Sequence, residues 1–202
     1  MNRTAVLITF LFLWSCDANT KQKNAVSEKQ LVSEDNHPSF DYDTILINTD
    51  KSIVKWKGTK LMKTGKHMGT VRFKRGELYF AADTLVGGKL IVNMQSIYNT
   101  DIPKDDPVPR RKLTAHLNSD FKTDSFPRAS YEIIHAEKQG NDSYRLKGYM
   151  TIRGVRQPMK VTAMEYISKK HYGANVVFDR TDWKIGEEGS WLEQKLVDDE
   201  IT

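Results

Sequence analysis

From residue 43 to the C-terminus, apolar positions recur with period 2 and not with the helical period. The clearest stretch is 144–153. Tyr144, Leu146, Gly148, Met150 and Ile152 fall on one side; Arg145, Lys147, Tyr149, Thr151 and Arg153 fall on the other. That is a strand with one buried and one wet face. Gly154 and Arg156-Gln157-Pro158 punctuate the chain, and Met159, Val161 and Ala163 then alternate with Lys160 and Thr162, so the two stretches read as a hairpin.

The same pattern sets Val54 and Trp56 against Ile53, Lys55 and Lys57, and Val71 and Phe73 against Arg72 and Lys74. Arg75-Gly76 is expected to turn the chain into Leu78 and Phe80, and Gly87-Gly88 to open a strand carrying Leu90, Val92 and Met94. Tyr131, Ile133 and His135 mark another strand, and Tyr172, Ala174, Val176 and Phe178 a later one. With 45–48 and the C-terminal stretch, the count is about eight to ten short strands.

One segment alone has helical spacing. In 111–121, Leu113, Leu117 and Phe121 stand at i, i+4 and i+8 behind Pro109, one apolar stripe suited to capping the end of a sheet or barrel. No repeat or second linker divides 42–202, so it reads as one domain. Short antiparallel strands without a parallel crossover leave a sandwich or a barrel, and periodicity does not choose between them.

The first 41 residues are of another kind. Residues 5–14 form an apolar run broken only by Thr9, behind a short segment carrying Arg3. Ten residues of helix rise about 15 Å, too short for a hydrocarbon core of about 30 Å, which fits a signal-peptide core. The run ends at Leu13-Trp14-Ser15-Cys16, which resembles the lipobox of bacterial lipoproteins, in which the cysteine is acylated. The expected organisation is a lipoprotein signal peptide over 1–16, a polar tether over 17–41, and a folded domain over 42–202. The tether has no aromatic residue before Phe40 and buries too little apolar surface to offset chain entropy.

Cys16 is the only cysteine, so the folded part has no disulfide, thiol nucleophile or thiolate metal site. Net charge is +5, from 31 basic against 26 acidic side chains, mostly scattered singly. Arg110-Arg111-Lys112 is the densest basic group. It lacks the stacking aromatics of a nucleic-acid surface and reads as a solvated helix start. The five histidines show no H-x-H or H-x-x-x-H spacing, so no metal is expected. Asp105-Asp106 and Asp198-Asp199 are sequence neighbours that a strand would turn to opposite faces, which makes them poor acid/base partners. No nucleophile elbow or phosphate-binding glycine loop is present, and no catalytic residue is assigned.

Several stretches, in order, resemble the YceI-like family. They are Val54-Lys55-Trp56; Gly65-Lys66-His67-Met68-Gly69 with Phe73 and Gly76-Glu77-Leu78; and Gly88-Lys89-Leu90 running into Met94-Gln95-Ser96-Ile97. Leu113, His116-Leu117, Ser119-Asp120-Phe121, Phe126-Pro127 and Tyr131-Glu132-Ile133 follow. Last come 147–155, Pro158, Val161, Arg180-Thr181-Asp182-Trp183 and Ile185. The pattern departs at Lys122, where a second aromatic is usual, and in the short closing segment 197–201.

The resemblance implies an all-β fold: a single antiparallel, up-and-down, lipocalin-like β-barrel of about eight strands with one short helix. It implies a non-catalytic protein that carries or stores a long-chain isoprenoid, of quinone or polyprenyl type, with no other cofactor. The residues expected to line the cavity are Trp56, His67, Phe73, Leu78, Phe80, Met94, Leu117, Phe121, Tyr131, Ile133, Leu146, Met150, Val161 and Phe178. His67 is weighed as a headgroup contact against a turn histidine satisfying backbone groups, and His116 as a bridge from helix to barrel. The expected setting is the cell envelope, facing the periplasm and held at a membrane through acylated Cys16. An incomplete barrel edge would invite a homodimer. The competing readings are an interaction module with a filled barrel and an enzyme acting on an apolar substrate.

Overall fold

The computed structural model describes residues 42–60, 65–166, 171–187 and 197–202, all within one compact unit, Ser39–Thr202. The expected signal segment, Cys16 and the tether lie outside the described residues.

The strands are β1 (Asp43–Leu46), β2 (Ile53–Lys60), β3 (Lys66–Ala81), β4 (Thr84–Asn99), β5 (Arg128–Gln139), β6 (Ser143–Ile152), β7 (Val155–Tyr166), β8 (His171–Asn175), β9 (Phe178–Asp179) and β10 (Val197–Ile201). Among the described residues one α-helix, α1 (Pro107–Asp120), joins β4 to β5. All described pairings are antiparallel, in the spatial order β8-β7-β6-β5-β4-β3-β2-β10-β9, with β1 on the far half of β3.

That order forces curvature. Nine strands side by side would span about 38 Å if flat, at roughly 4.8 Å per neighbour. The two edges, β8 and β9, are separated in the chain by Val176 and Val177 alone, a link that reaches at most about 11 Å. The sheet must curl until the end of β8 comes within that reach of the start of β9, and among the described residues it is the chain, not strand pairing, that joins the two edges. This also explains why the alternation 172–178 is two short strands and not one: the run crosses from one sheet edge to the other. Val176 packs into one interior cluster and Phe178 into the other.

One expected turn is not a turn, and one expected strand opening lies inside a strand. β3 runs unbroken through Arg75 and Gly76, with a register shift between Phe73 and Arg75 that re-phases the strand. Gly76 is small because a side chain there would strike Ile47 at 2.6 Å and Leu90 at 2.9 Å. The chain reverses instead at Ala82-Asp83, both in the left-handed region at φ 46° and 63°, as a two-residue hairpin requires. β4 likewise begins at Thr84, so Gly87 and Gly88 lie within it. The expected β6–β7 hairpin forms, turning at Arg153-Gly154 with φ 50° and 75°.

Helix α1 starts four residues before the expected 111, with Pro107 in its first turn, where a missing N–H costs nothing. Phe121 caps it, donating its N–H to the Leu117 carbonyl at 3.0 Å. Leu117 and Phe121 from the predicted stripe pack against the barrel core.

Candidate ligand site in the barrel interior

Residues directly opposite on paired strands share a face, so the register fixes what points inward. One row runs Leu90, Tyr131, Met150, Gln157 across β4 to β7; the next runs Leu78, Gly88, Ile133, Gly148, Met159 across β3 to β7. Both consist almost entirely of apolar groups.

The interior packs as two clusters. The first gathers Phe80, Leu85, Tyr131, Ile133, Ala136, Tyr144, Leu146, Val161 and Ala163. The second gathers Val71, Met94, Ile97, Ala129, Ile152, Trp183 and Ile185, beneath α1 and the short 3-10 helix Arg180–Trp183. Met150 and Met159 pack against both. Their unbranched side chains can re-pack around a guest more readily than any branched residue. Their backbone carbonyls are held from the two sides: Trp183 Nε1 donates to Met150 O and the Tyr131 hydroxyl to Met159 O, each at 3.2 Å.

Several inward residues are only half-buried, namely Trp56, Phe73, Leu78, Leu90, Val92, Met150 and Met159. A filled core would bury them fully, so this apolar lining keeps accessible surface that an apolar guest could cover.

Polar groups sit at the margins. At the first cluster's end, Glu165 accepts hydrogen bonds from the Tyr172 hydroxyl at 2.8 Å and the Tyr144 hydroxyl at 3.4 Å. Burial, then the hydrogen bond and charge of Glu165, push the Tyr172 hydroxyl well above the usual phenol range. Burial alone pushes Tyr131 up to about 12. Both phenols stay protonated and act as hydrogen-bond donors.

On β3, His67 Nδ1 lies 2.8 Å from Asp101 Oδ2, and the Met68 amide donates to Asp101 Oδ1 at 3.0 Å. Burial pushes the Asp101 carboxyl up, but the Met68 amide and the His67 ring outweigh it and hold it below the usual carboxylate range. The pair ties the start of β3 to the end of β4. Beside it, Trp56 lies across Gly69, which faces Asn99 in the next strand. A side chain on Gly69 would come within 2.0 Å of the Tyr98 carbonyl and 2.5 Å of the indole.

Of the fourteen expected lining residues, Phe80, Tyr131, Ile133, Leu146 and Val161 belong to the first cluster and Met94 to the second. Leu78 flanks the first cluster, Trp56, Leu117, Phe121 and Phe178 flank the second, and Met150 flanks both. Phe73 is half-buried opposite Val92, and His67 is engaged with Asp101 rather than with backbone groups of a turn. His116 Nε2 pairs with Asp120 in its own helix at 3.3 Å. Glu165 and Tyr172 were not singled out, because their contact depends on β7–β8 pairing. Trp183 stood only in the family pattern, yet it is 1% exposed and packs edge-on to Phe178, with ring centroids 5.1 Å apart.

BcnA of Burkholderia cenocepacia has a similar fold, at a TM-score of 0.58 and 15% identity, covering 73% of this chain and 90% of that one. A YceI protein of Campylobacter jejuni aligns at a TM-score of 0.47 and 19% identity, over 63% of this chain and 78% of its own. No curated protein matches the sequence. The sequence model of the YceI-like domain matches residues 46–202, the whole of the barrel from the end of β1 onward, and the chain therefore belongs to the YceI-like family.

Proposed function

We propose that this protein is a non-catalytic carrier or store for one long-chain isoprenoid lipid, of quinone or polyprenyl type, held in the barrel. The observation that carries the reading is the half-buried apolar lining of the inward face, beside two packed clusters that share Met150 and Met159. The energetics are those of burial. Each CH2 removed from water contributes about 0.8 kcal/mol, so a chain of tens of carbons binds tightly even after ordering costs. The setting is the cell envelope, with the barrel tethered to a membrane through acylated Cys16.

The test uses residues 17–202 exported from a bacterium behind a cleavable signal. The purified protein is extracted with organic solvent for mass spectrometry, and the intact protein is weighed under native conditions. A stoichiometric isoprenoid, lost in Met150→Lys, supports the carrier. An empty protein that takes up neither quinone nor polyprenol sinks it. The dense packing around Tyr144, which is fully buried, would then favour a filled barrel serving as a partner module.

A further inference from the structure

The outer face of β5, β6 and β7 carries more positive charge than it neutralises. These strands hold six lysines and arginines against three carboxylates, of which Lys138 and Glu165 fall on the inward register, so five basic groups and two carboxylates face outward. Each carboxylate is engaged: Glu132 with Arg156 at 2.8 Å, Glu137 with Arg145 at 3.8 Å, and Glu165 with the two inward tyrosines. Lys147 and Lys160 are left directly opposite one another in the register. Like charges so placed destabilise a sheet, and a negatively charged partner relieves that cost.

Apolar groups surround the lysines. A register shift between Ile133 and His135 turns Ile134 outward, where it is 57% exposed. Ile134, Tyr149, Pro158 and the stems of Lys147 and Lys160 line an open groove of about 410 Å³. Farther along the same face of β7 stand Met164 and Tyr166, 44% and 58% exposed.

We propose that this face docks the barrel onto a membrane surface rich in anionic phospholipid. Ile134, Met164 and Tyr166 would enter the interfacial region, while the lysine stems lie along it and their ammonium groups reach headgroup phosphates. A nucleic-acid partner fits less well, since the Arg156 guanidinium, 3.5 Å from the Tyr149 ring centroid, already covers one stacking face. The proposal does not depend on what the barrel holds.

The experiment is co-sedimentation of residues 17–202, free of any acyl anchor, with phosphatidylcholine vesicles alone or containing about one-third phosphatidylglycerol. Binding is expected to the anionic vesicles and not the neutral ones, and it should fade with added salt. Lys147→Glu with Lys160→Glu should weaken it at least about tenfold, and Ile134→Asp should weaken it further. Lys147→Gln with Lys160→Gln repeats the test if the charge reversal impairs folding, as judged by circular dichroism. Folded lysine variants that bind like the parent overturn the proposal. So does failure of the parent to bind anionic vesicles, including the case where polyaspartate retains it and vesicles do not, which would indicate an acidic protein partner.

Discussion

His67 and Asp101 stand 34 positions apart, and their contact holds two strand ends together. Because the Asp101 carboxyl is held below its ordinary value, its contribution is complete above the unfolded carboxylate pKa of about 3.9 and is lost as pH falls through the lower folded value. Asp101→Asn should cost about 1 kcal/mol at neutral pH by urea denaturation, with the gap to the parent closing as the pH falls below 4. A gap that is constant with pH would mean the carboxylate charge is irrelevant. Tyr131 reverses the sign. Its raised value means the neutral phenol is favoured in the fold, so stability present below about pH 10 declines as pH rises toward 12. Tyr131→Phe should lessen the alkaline decline, leaving the share due to Tyr172, and cost about 1 kcal/mol at neutral pH for the lost bond to the Met159 carbonyl. His67 was legible from the family-like stretch Gly65-Lys66-His67-Met68-Gly69; Asp101 was not, since a partner contributed from just beyond the end of another strand leaves no trace in local spacing.

At the scale of elements, alternation identifies inward faces well but marks turns poorly. Tyr144, Leu146, Gly148 and Ile152 are all buried as their period predicts. Gly76, Gly87 and Gly88 look like punctuation, yet they lie inside long strands. A glycine needed for close approach and a glycine needed for a turn are the same letter. Gly69 is of the first kind. Gly69→Ala should cost about 1–3 kcal/mol or more, because the added methyl meets a backbone carbonyl and the Trp56 indole; a thermal melt unchanged from the parent would refute that packing. Trp183→Ala should cost about 3–5 kcal/mol by the same measurement, since the ring is buried, stacks edge-on with Phe178 and donates to Met150. The helix stripe was readable because i, i+4, i+8 spacing needs no knowledge of the partner, although its start at Pro107 was not.

Across the whole molecule, the decisive feature is that β8 and β9, the two ends of the pairing order, are joined by two residues. If this link carries the closure, lengthening it with glycines between Val176 and Val177 should loosen the edges. Hydrogen exchange should then rise at β8 and β9 before β5 and β6, whereas uniform exchange would show closure to be held elsewhere. By itself the sequence determined the all-β class, the inward set on most strands and the capping helix, because side-chain period and apolar spacing are local properties of the chain. The choice of a barrel came from family resemblance, not from periodicity. Only the tertiary structure decided which strands neighbour one another, where the edges meet, and that two clusters share Met150 and Met159. It alone set Lys147 against Lys160 on the outer face. Pairing and register arise from contacts between segments far apart in the chain, and period 2 is the same whichever strand lies alongside.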